Sequence, residues 1–195
     1  MYSFVKGIVS LYIHLFVKLK VSGAQNIPSE GGGIICANHI HLLDPFAVGM
    51  NTKRVISFMA KRDIFKNKIG AWFFTKLHAI PVNRDGNDAY SLKKALGVIN
   101  SHELLGIFPE GTREKEGKTL KFKPGVSMLS IKTQTPLIPV FIEGGYKPFS
   151  TLCVTIGSPI DLSAYYDKKL SADDYSYIAN NIIEKEIMSL KGKSF

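Results

Sequence analysis

Gly33-Ile34-Ile35-Cys36-Ala37-Asn38-His39-Ile40-His41-Leu42-Leu43-Asp44-Pro45 is the stretch whose reading decides the fold. Its first five residues are small or apolar and carry no charge. Such a run reads as an apolar strand. Polar residues then take over, and Asp44-Pro45 reads as a helix start, with Asp at the N-cap and Pro at the first helical position. Outward from this stretch the same alternation repeats. Strands are expected at Lys18–Ser22, Gly33–Ala37, Arg54–Met59, His78–Val82, Leu104–Phe108, Leu137–Ile142 and Leu152–Ile156. Helices are expected at Pro45–Met50, Lys68–Leu77, Ala89–Ser101, Val126–Thr133 and Ala172–Leu190, with Asp88 and Ser171 as N-caps. Alternating strands and helices imply an α/β architecture: one domain with a largely parallel central sheet flanked by helices, plus an N-terminal amphipathic helix. Ligands in such sheets collect where strands end and loops turn into helices.

The 195-residue length suits a single domain able to bury a real core. Hydrophobic residues make up 45% and charged residues 21%, which rules out a disordered chain. Two cysteines, Cys36 and Cys153, exclude a disulfide scaffold and leave little for a zinc site. The net charge is +9, and it is uneven: residues 1–100 hold 13 Lys and Arg against 5 Asp and Glu. A basic half implies an anionic partner: nucleic acid, a membrane surface or a phosphorylated substrate.

The chain begins MYSFVKGIVSLYIHLFVKL. Its apolar run, Gly7–Val17, is 11 residues long, whereas a bilayer span needs about 20. A signal peptide is also unsupported, with one basic residue in the lead and no small-residue cleavage site. Phe4, Ile8, Leu11, Leu15 and Leu19 recur at helical spacing, flanked by Lys6, Lys18 and Lys20. Two readings fit: a helix packed on the core, or a helix lying in the headgroup layer. Residues 1–17 are assigned to this helix and 18–195 to the main domain.

Four strand ends carry chemistry. At the first, His39 and Asp44 cannot share a helix face, because five steps of about 100° leave them about 140° apart. They meet if His39 ends the strand and Asp44 opens the next helix. Imidazole would then accept a proton from a hydroxyl while the carboxylate fixes its tautomer. A satisfied loop histidine and a capping aspartate fit the same residues. The second, Phe108-Pro109-Glu110-Gly111-Thr112-Arg113, has the make-up of a β-turn, and it also sets a glutamate and an arginine at a strand end, where arginine suits bidentate phosphate binding. The third is Ile80-Pro81-Val82-Asn83-Arg84. The fourth is Lys121-Phe122-Lys123-Pro124-Gly125, just before a helix start. Arg84, Arg113, Lys121 and Lys123 thus occupy loops able to converge on one anion.

Other signals fail. Gly111 to Thr119 resembles a P-loop, but five residues separate its glycines where the motif needs four. No further histidine has ligand spacing with His39 and His41, no G-x-S-x-G exists, and no nucleic-acid motif appears. No metal, cofactor or nucleic acid is expected.

The four strand ends together, in order and spacing, resemble the glycerolipid acyltransferase family, the 1-acylglycerol-3-phosphate (lysophosphatidic acid) acyltransferases. Asn38-His39…Asp44 is similar to the family's N-H-x4-D block, Pro81-Val82-Asn83-Arg84 to the second block, and Phe108 to Arg113 matches the third at every position. Pro136-Leu137-Ile138-Pro139-Val140 resembles the fourth, and the resemblance covers about residues 18–160. His41 stands where the family commonly has serine, and His78 where a glycine often precedes the second block.

The resemblance implies transfer of a fatty acyl group from acyl-CoA or acyl-carrier protein to the sn-2 hydroxyl of lysophosphatidic acid, giving phosphatidic acid. It implies His39 and Asp44 as the catalytic pair, and Arg84, Glu110, Gly111, Thr112, Arg113, Lys121 and Lys123 as substrate-binding residues. The expected partner surface is an anionic membrane, with the protein peripheral or monotopic on the cytoplasmic face of the cell membrane. Lys61, Arg62, Lys66, Lys68 and Lys76 join the N-terminal lysines as candidates to face it, with Trp72-Phe73-Phe74 among them. Oxyanion donors are expected from backbone N–H groups near Asn38 and Gly111. Other readings are another acceptor (glycerol-3-phosphate, a lysophospholipid or a lyso-ornithine lipid), a non-catalytic lipid-binding protein, and a metal hydrolase.

Overall fold

The computed structural model describes residues 1–83, 88–113 and 121–193. Arg84, and the segment that resembled a P-loop beyond Arg113, lie outside these residues. Seven strands form one sheet: β1 (Lys18–Ser22), β2 (Gly33–Ala37), β3 (Ile56–Lys61), β4 (Ile80–Val82), β5 (Leu104–Ile107), β6 (Leu137–Gly144) and β7 (Thr151–Ile156). Their order is β1-β7-β6-β2-β5-β3-β4, and every neighbouring pair is parallel except β6 and β7. The expected largely parallel sheet is present.

The helices are α1 (Tyr2–Phe16), α2 (Asp44–Gly49), α3 (Lys68–Lys76), α4 (Ala89–Asn100), α5 (Gly125–Thr133), α6 (Ala172–Ile178) and α7 (Glu184–Ser189). Side chains alternate across β2, so Ile34 and Cys36 join one core layer and Ile35 and Ala37 the other. The first layer holds Ala95 and Ile99 of α4, Val126 and Leu129 of α5, and Ile178 and Ile187 of α6 and α7. The second holds Ile13 of α1 and Ala47 and Val48 of α2. Between β3 and β4 the chain passes through α3. There the Tyr2 ring meets His78, just past α3, edge-on at 5.8 Å.

Small boundary shifts have physical causes. Arg54 stands outside β3 because its guanidinium donates to the carbonyls of Pro28, Gly31 and His102, stapling three loops at the far edge of the sheet. β4 starts late because His78 is in the left-handed region (φ 58°), closing α3 where glycine is usual. Asp88 caps α4, and Ser171 caps α6 in a full capping box.

The final helix, expected as one piece, is divided. A π turn at Ala179–Ile183 separates α6 from α7. Asn180 in that turn accepts from the Phe122 N–H at 2.9 Å and donates to its carbonyl at 3.1 Å. The widened turn lets a helical side chain clamp the loop before α5 as a strand neighbour would, so it fixes the approach to Lys123.

Candidate active site

β2, β3, β4, β5 and β6 all end on one edge of the sheet, and the chemistry-bearing loops gather there. His39 follows β2, Phe108 to Arg113 follow β5, and Tyr146 follows β6. β2 lies between β5 and β6, so these three loops are neighbours.

His39 and Asp44 meet. The imidazole Nδ1 lies 2.7 Å from Asp44 Oδ2. Oδ2 also accepts the N–H groups of Ile40 and His41, each at 2.7 Å, and Oδ1 accepts the Tyr146 hydroxyl at 2.6 Å. Asp44 is completely buried, and four donors surround its carboxylate, so Nδ1 of His39 is the nitrogen that donates to it and Nε2 is the one left to face outward. The His39 side chain is 15% exposed, which leaves Nε2 a way to substrate.

The sequence expectation of Asp44 as N-cap differs from what is found. Asp44 is the first residue of α2, with Leu43 at the cap, and its carboxylate turns back onto the preceding loop. The β2–α2 loop folds around that carboxylate, and this is why five residues suffice to bring His39 to it.

Aromatic rings fix the imidazole plane. His39 stacks on Phe108 with centroids 4.2 Å apart, and Phe108 stacks on Phe58 at 5.2 Å. Phe58 lies across β5 at Gly106, where any Cβ would sit 2.3 Å from its ring. Behind the dyad, Asn38 is buried and bonds the Ile142 backbone through both amide atoms, at 2.9 and 2.7 Å. It fastens the end of β2 to β6.

Phe108 to Gly111 form the expected β-turn, closed by the Gly111 N–H to the Phe108 carbonyl at 3.0 Å. Gly111 has φ 70°, and a Cβ there would stand 3.1 Å from Lys123 Cε. The Lys123 N–H donates to the Pro109 carbonyl at 2.9 Å. Lys123 is thus brought against the Glu110–Gly111 turn, and Thr112 and Arg113 lie exposed beside it. Lys121 goes elsewhere: its charge acts on the Glu184 carboxyl of α7, which burial raises and Lys121 lowers. Arg84 lies outside the described residues.

The Glu110 charge acts on Cys36, and burial first and then this charge push that thiol far above its ordinary range. Cys36 is therefore a packing residue and no nucleophile. Three backbone donors of these loops are engaged: the Gly111 N–H on the Phe108 carbonyl, and the Ile40 and His41 N–H groups on Asp44.

Sequence reasoning missed Tyr146, Asn38's clamp and Phe58. It also missed a pocket of about 290 Å³ on the same edge, lined by Arg62, Phe65, Lys66, Pro81, Asp88 and Tyr90. Arg62 and Lys66 had been assigned only to a membrane face. Among the described residues, no three His, Cys, Asp or Glu side chains converge as a metal site.

A histidine with one nitrogen anchored to a buried carboxylate and the other open, beside cations at a sheet edge, is an arrangement able to take a proton from a hydroxyl or water. Comparison with known proteins supplies the family. The acyltransferase family model matches residues 18–143, and the chain belongs to that family. It is 31% identical over 145 residues to the 1-acyl-sn-glycerol-3-phosphate acyltransferase of Bacillus subtilis, covering 74% of this chain and 72% of that one. The enzyme of the same name from Borreliella burgdorferi is 32% identical over 126 residues, 64% of this chain and 50% of its own length. The chain also spans 40% of a chloroplastic relative from Arabidopsis thaliana, at 27% identity. The crystal structure of the lysophosphatidic acid acyltransferase PlsC from Thermotoga maritima shares the fold, with a TM-score of 0.73 over 98% of this chain and 80% of that chain, at 23% identity.

Gly106→Ala should drive Phe58 from its place and tilt Phe108 under His39. The expected cost is about 1–3 kcal/mol of stability from overpacking, with a fall in turnover, read by thermal denaturation and by activity assay. Wild-type values in both would mean that the ring stack does not hold the imidazole.

Proposed function

We propose that this acyltransferase moves a fatty acyl group from a thioester donor, acyl-CoA or acyl-carrier protein, to the sn-2 hydroxyl of 1-acyl-sn-glycerol 3-phosphate, giving phosphatidic acid. The observation that carries the reading is the His39–Asp44 pair with its free Nε2. The names of the Bacillus and Borreliella relatives support the acceptor.

In this mechanism Nε2 takes the hydroxyl proton as the oxygen attacks the thioester carbonyl. Asp44 holds the ring and stabilises the imidazolium. The tetrahedral oxyanion then collapses, the carbon–sulfur bond breaks, and the imidazolium returns the proton to the departing thiolate. No acyl-enzyme forms. Cys36 is buried and held protonated, which removes it as a nucleophile. Arg113, with Lys123 at the neighbouring Glu110–Gly111 turn, grips the acceptor phosphate, and Arg84 is assigned to the same phosphate on its sequence block. Side-chain cations of that turn stabilise the oxyanion.

The acceptor is a lipid, and the protein is proposed to meet it at an anionic membrane. Ile69 (80% exposed) and Trp72 (58%) project from the first turns of α3, which follows the site-bearing end of β3 after a short turn at Arg62–Phe65. Phe4, Ile8, Leu11 and Leu15 form an exposed apolar stripe on α1, while Ile13 is buried beneath. Phe149, 91% exposed and held at φ 67°, stands in the β6–β7 turn, with its N–H donating to the Phe16 carbonyl at 2.6 Å. A bulky aromatic in that backbone conformation, turned to solvent, suits insertion between lipids. Lys18 and Lys68 are exposed nearby, and each cation near an anionic surface contributes about 1 kcal/mol. Lys6 is not among them, because it donates to the Thr52 carbonyl at 2.8 Å, and Lys61 and Lys66 are paired with Asp63. Among the described residues no helix is long and apolar enough to cross a membrane.

His39→Ala should lower turnover by about 10²–10⁴-fold in a donor and acceptor panel on detergent-solubilised protein; undiminished turnover would end the base assignment. Arg113→Ala and Arg84→Ala should raise the acceptor KM more than they lower kcat, and a dephosphorylated acceptor should lose this difference. Vesicles containing phosphatidylglycerol should float the protein at low salt, and the double variant Leu11→Glu, Trp72→Glu should stay behind. Wild-type protein remaining in the soluble fraction would contradict membrane docking.

A further inference from the structure

Asp44 Oδ2 carries three hydrogen bonds, two of them from its own loop, whereas Oδ1 accepts one, from Tyr146. Turning the carboxylate about its Cβ–Cγ bond moves both oxygens, so a donor on Oδ1 adds to the three on Oδ2 and holds the plane from its other end. Tyr146 is suited to this. It is buried, its ring stacks on His41 with centroids 4.4 Å apart, and its hydroxyl points directly at Oδ1. Burial first, and the Asp44 charge next, push its phenol far above the ordinary range, so it remains a donor. It belongs to none of the four sequence blocks. Its place follows from β6 lying beside β2, which brings the turn after β6 over the β2–α2 loop. That turn is in turn tied to α1, because the Tyr12 hydroxyl donates to the Tyr146 carbonyl at 2.9 Å.

We propose that Tyr146 is a positioning residue that locks the Asp44 carboxylate in line with His39, and that Tyr12 of α1 holds Tyr146 in place. One chain of hydrogen bonds therefore runs from the N-terminal helix to the catalytic imidazole. Tyr12 donates to the Tyr146 carbonyl, Tyr146 donates to Oδ1, and His39 Nδ1–H donates to Oδ2. The effect is on rate rather than on binding, since no member of this chain before His39 touches substrate. The inference rests on the base role of His39 proposed above.

The test is steady-state kinetics on the full chain in mixed micelles, with melting temperatures measured alongside. Tyr146→Phe keeps the ring, its burial and its stacking, and removes only the hydroxyl. It should lower kcat by about 10- to 100-fold, with the KM for donor and acceptor unchanged and the melting point nearly so. Placed on Asp44→Ala, the same change should cost nothing more, because the tyrosine acts through the carboxylate. Tyr12→Phe should reduce kcat in the same direction by a smaller factor. Wild-type kcat in Tyr146→Phe, or a loss that repeats in full on Asp44→Ala, would overturn the proposal. If Tyr146→Phe does not fold, Tyr12→Phe decides, and an unchanged kcat there counts against the tie. An inactive His39→Ala beside a fully active Tyr146→Phe sinks this inference alone; an active His39→Ala sinks the base reading with it.

Discussion

The structure turns on a single buried carboxylate. Asp44 is shut away from water, and an unsatisfied charge in such a place costs several kcal/mol. Four donors offset that cost, and hydrogen bonds to a charged group contribute about 1.5–3 kcal/mol each. They come from three different places: the loop's own backbone, the imidazole at the end of β2, and a tyrosine beyond β6. The carboxylate cannot be satisfied unless β2, the loop, α2 and the β6–β7 turn are all in position. The interaction that prepares the imidazole is thus also one that only the folded sheet supplies.

A second constraint acts from the other side of the ring. His39 is held at Nδ1 by Asp44 and on one flat face by Phe108, which fixes both its rotation and its tilt. The stack extends to Phe58, and that ring lies over β5 only because residue 106 has no side chain. Aromatic faces contribute no competing hydrogen bond. They exclude water from one side of the base and leave the polar approach to the Glu110–Arg113 turn.

Much of this was legible in the sequence where the information is local. The strand Gly33–Ala37 is found at its true limits, because continuous apolar residues ended by a sharp polar change leave little choice. The pairing of His39 with Asp44 was readable because both lie on one short loop, and the turn at Phe108–Gly111 because proline and glycine mark it. Tyr146 was not readable. It stands 102 residues from Asp44, and its contact arises from strand order rather than from any local pattern. The Asn38 clamp on Ile142, across 104 residues, is invisible for the same reason. Lys121 and Lys123 looked equivalent in sequence, yet the Lys123 N–H is tied to the Pro109 carbonyl, which brings Lys123 against the turn, whereas the Lys121 charge acts on Glu184.

The N-terminal helix shows why periodicity alone could not choose between two readings. Phe4, Ile8, Leu11 and Leu15 form a true stripe, but the structure turns it outward, while Val9, Tyr12, Ile13 and Val17 meet the core. A helix apolar on most sides can pack and still present grease to its surroundings. Here the packed side bears on the site through the Tyr12 hydroxyl, and the outward side is the one proposed to enter the lipid. A substrate whose chains stay in the bilayer must lift only its headgroup to the base. The depth at which α1 settles then sets how far His39 stands from the membrane, so in the proposed reading the same helix fixes both the height of the site and the rigidity of its carboxylate.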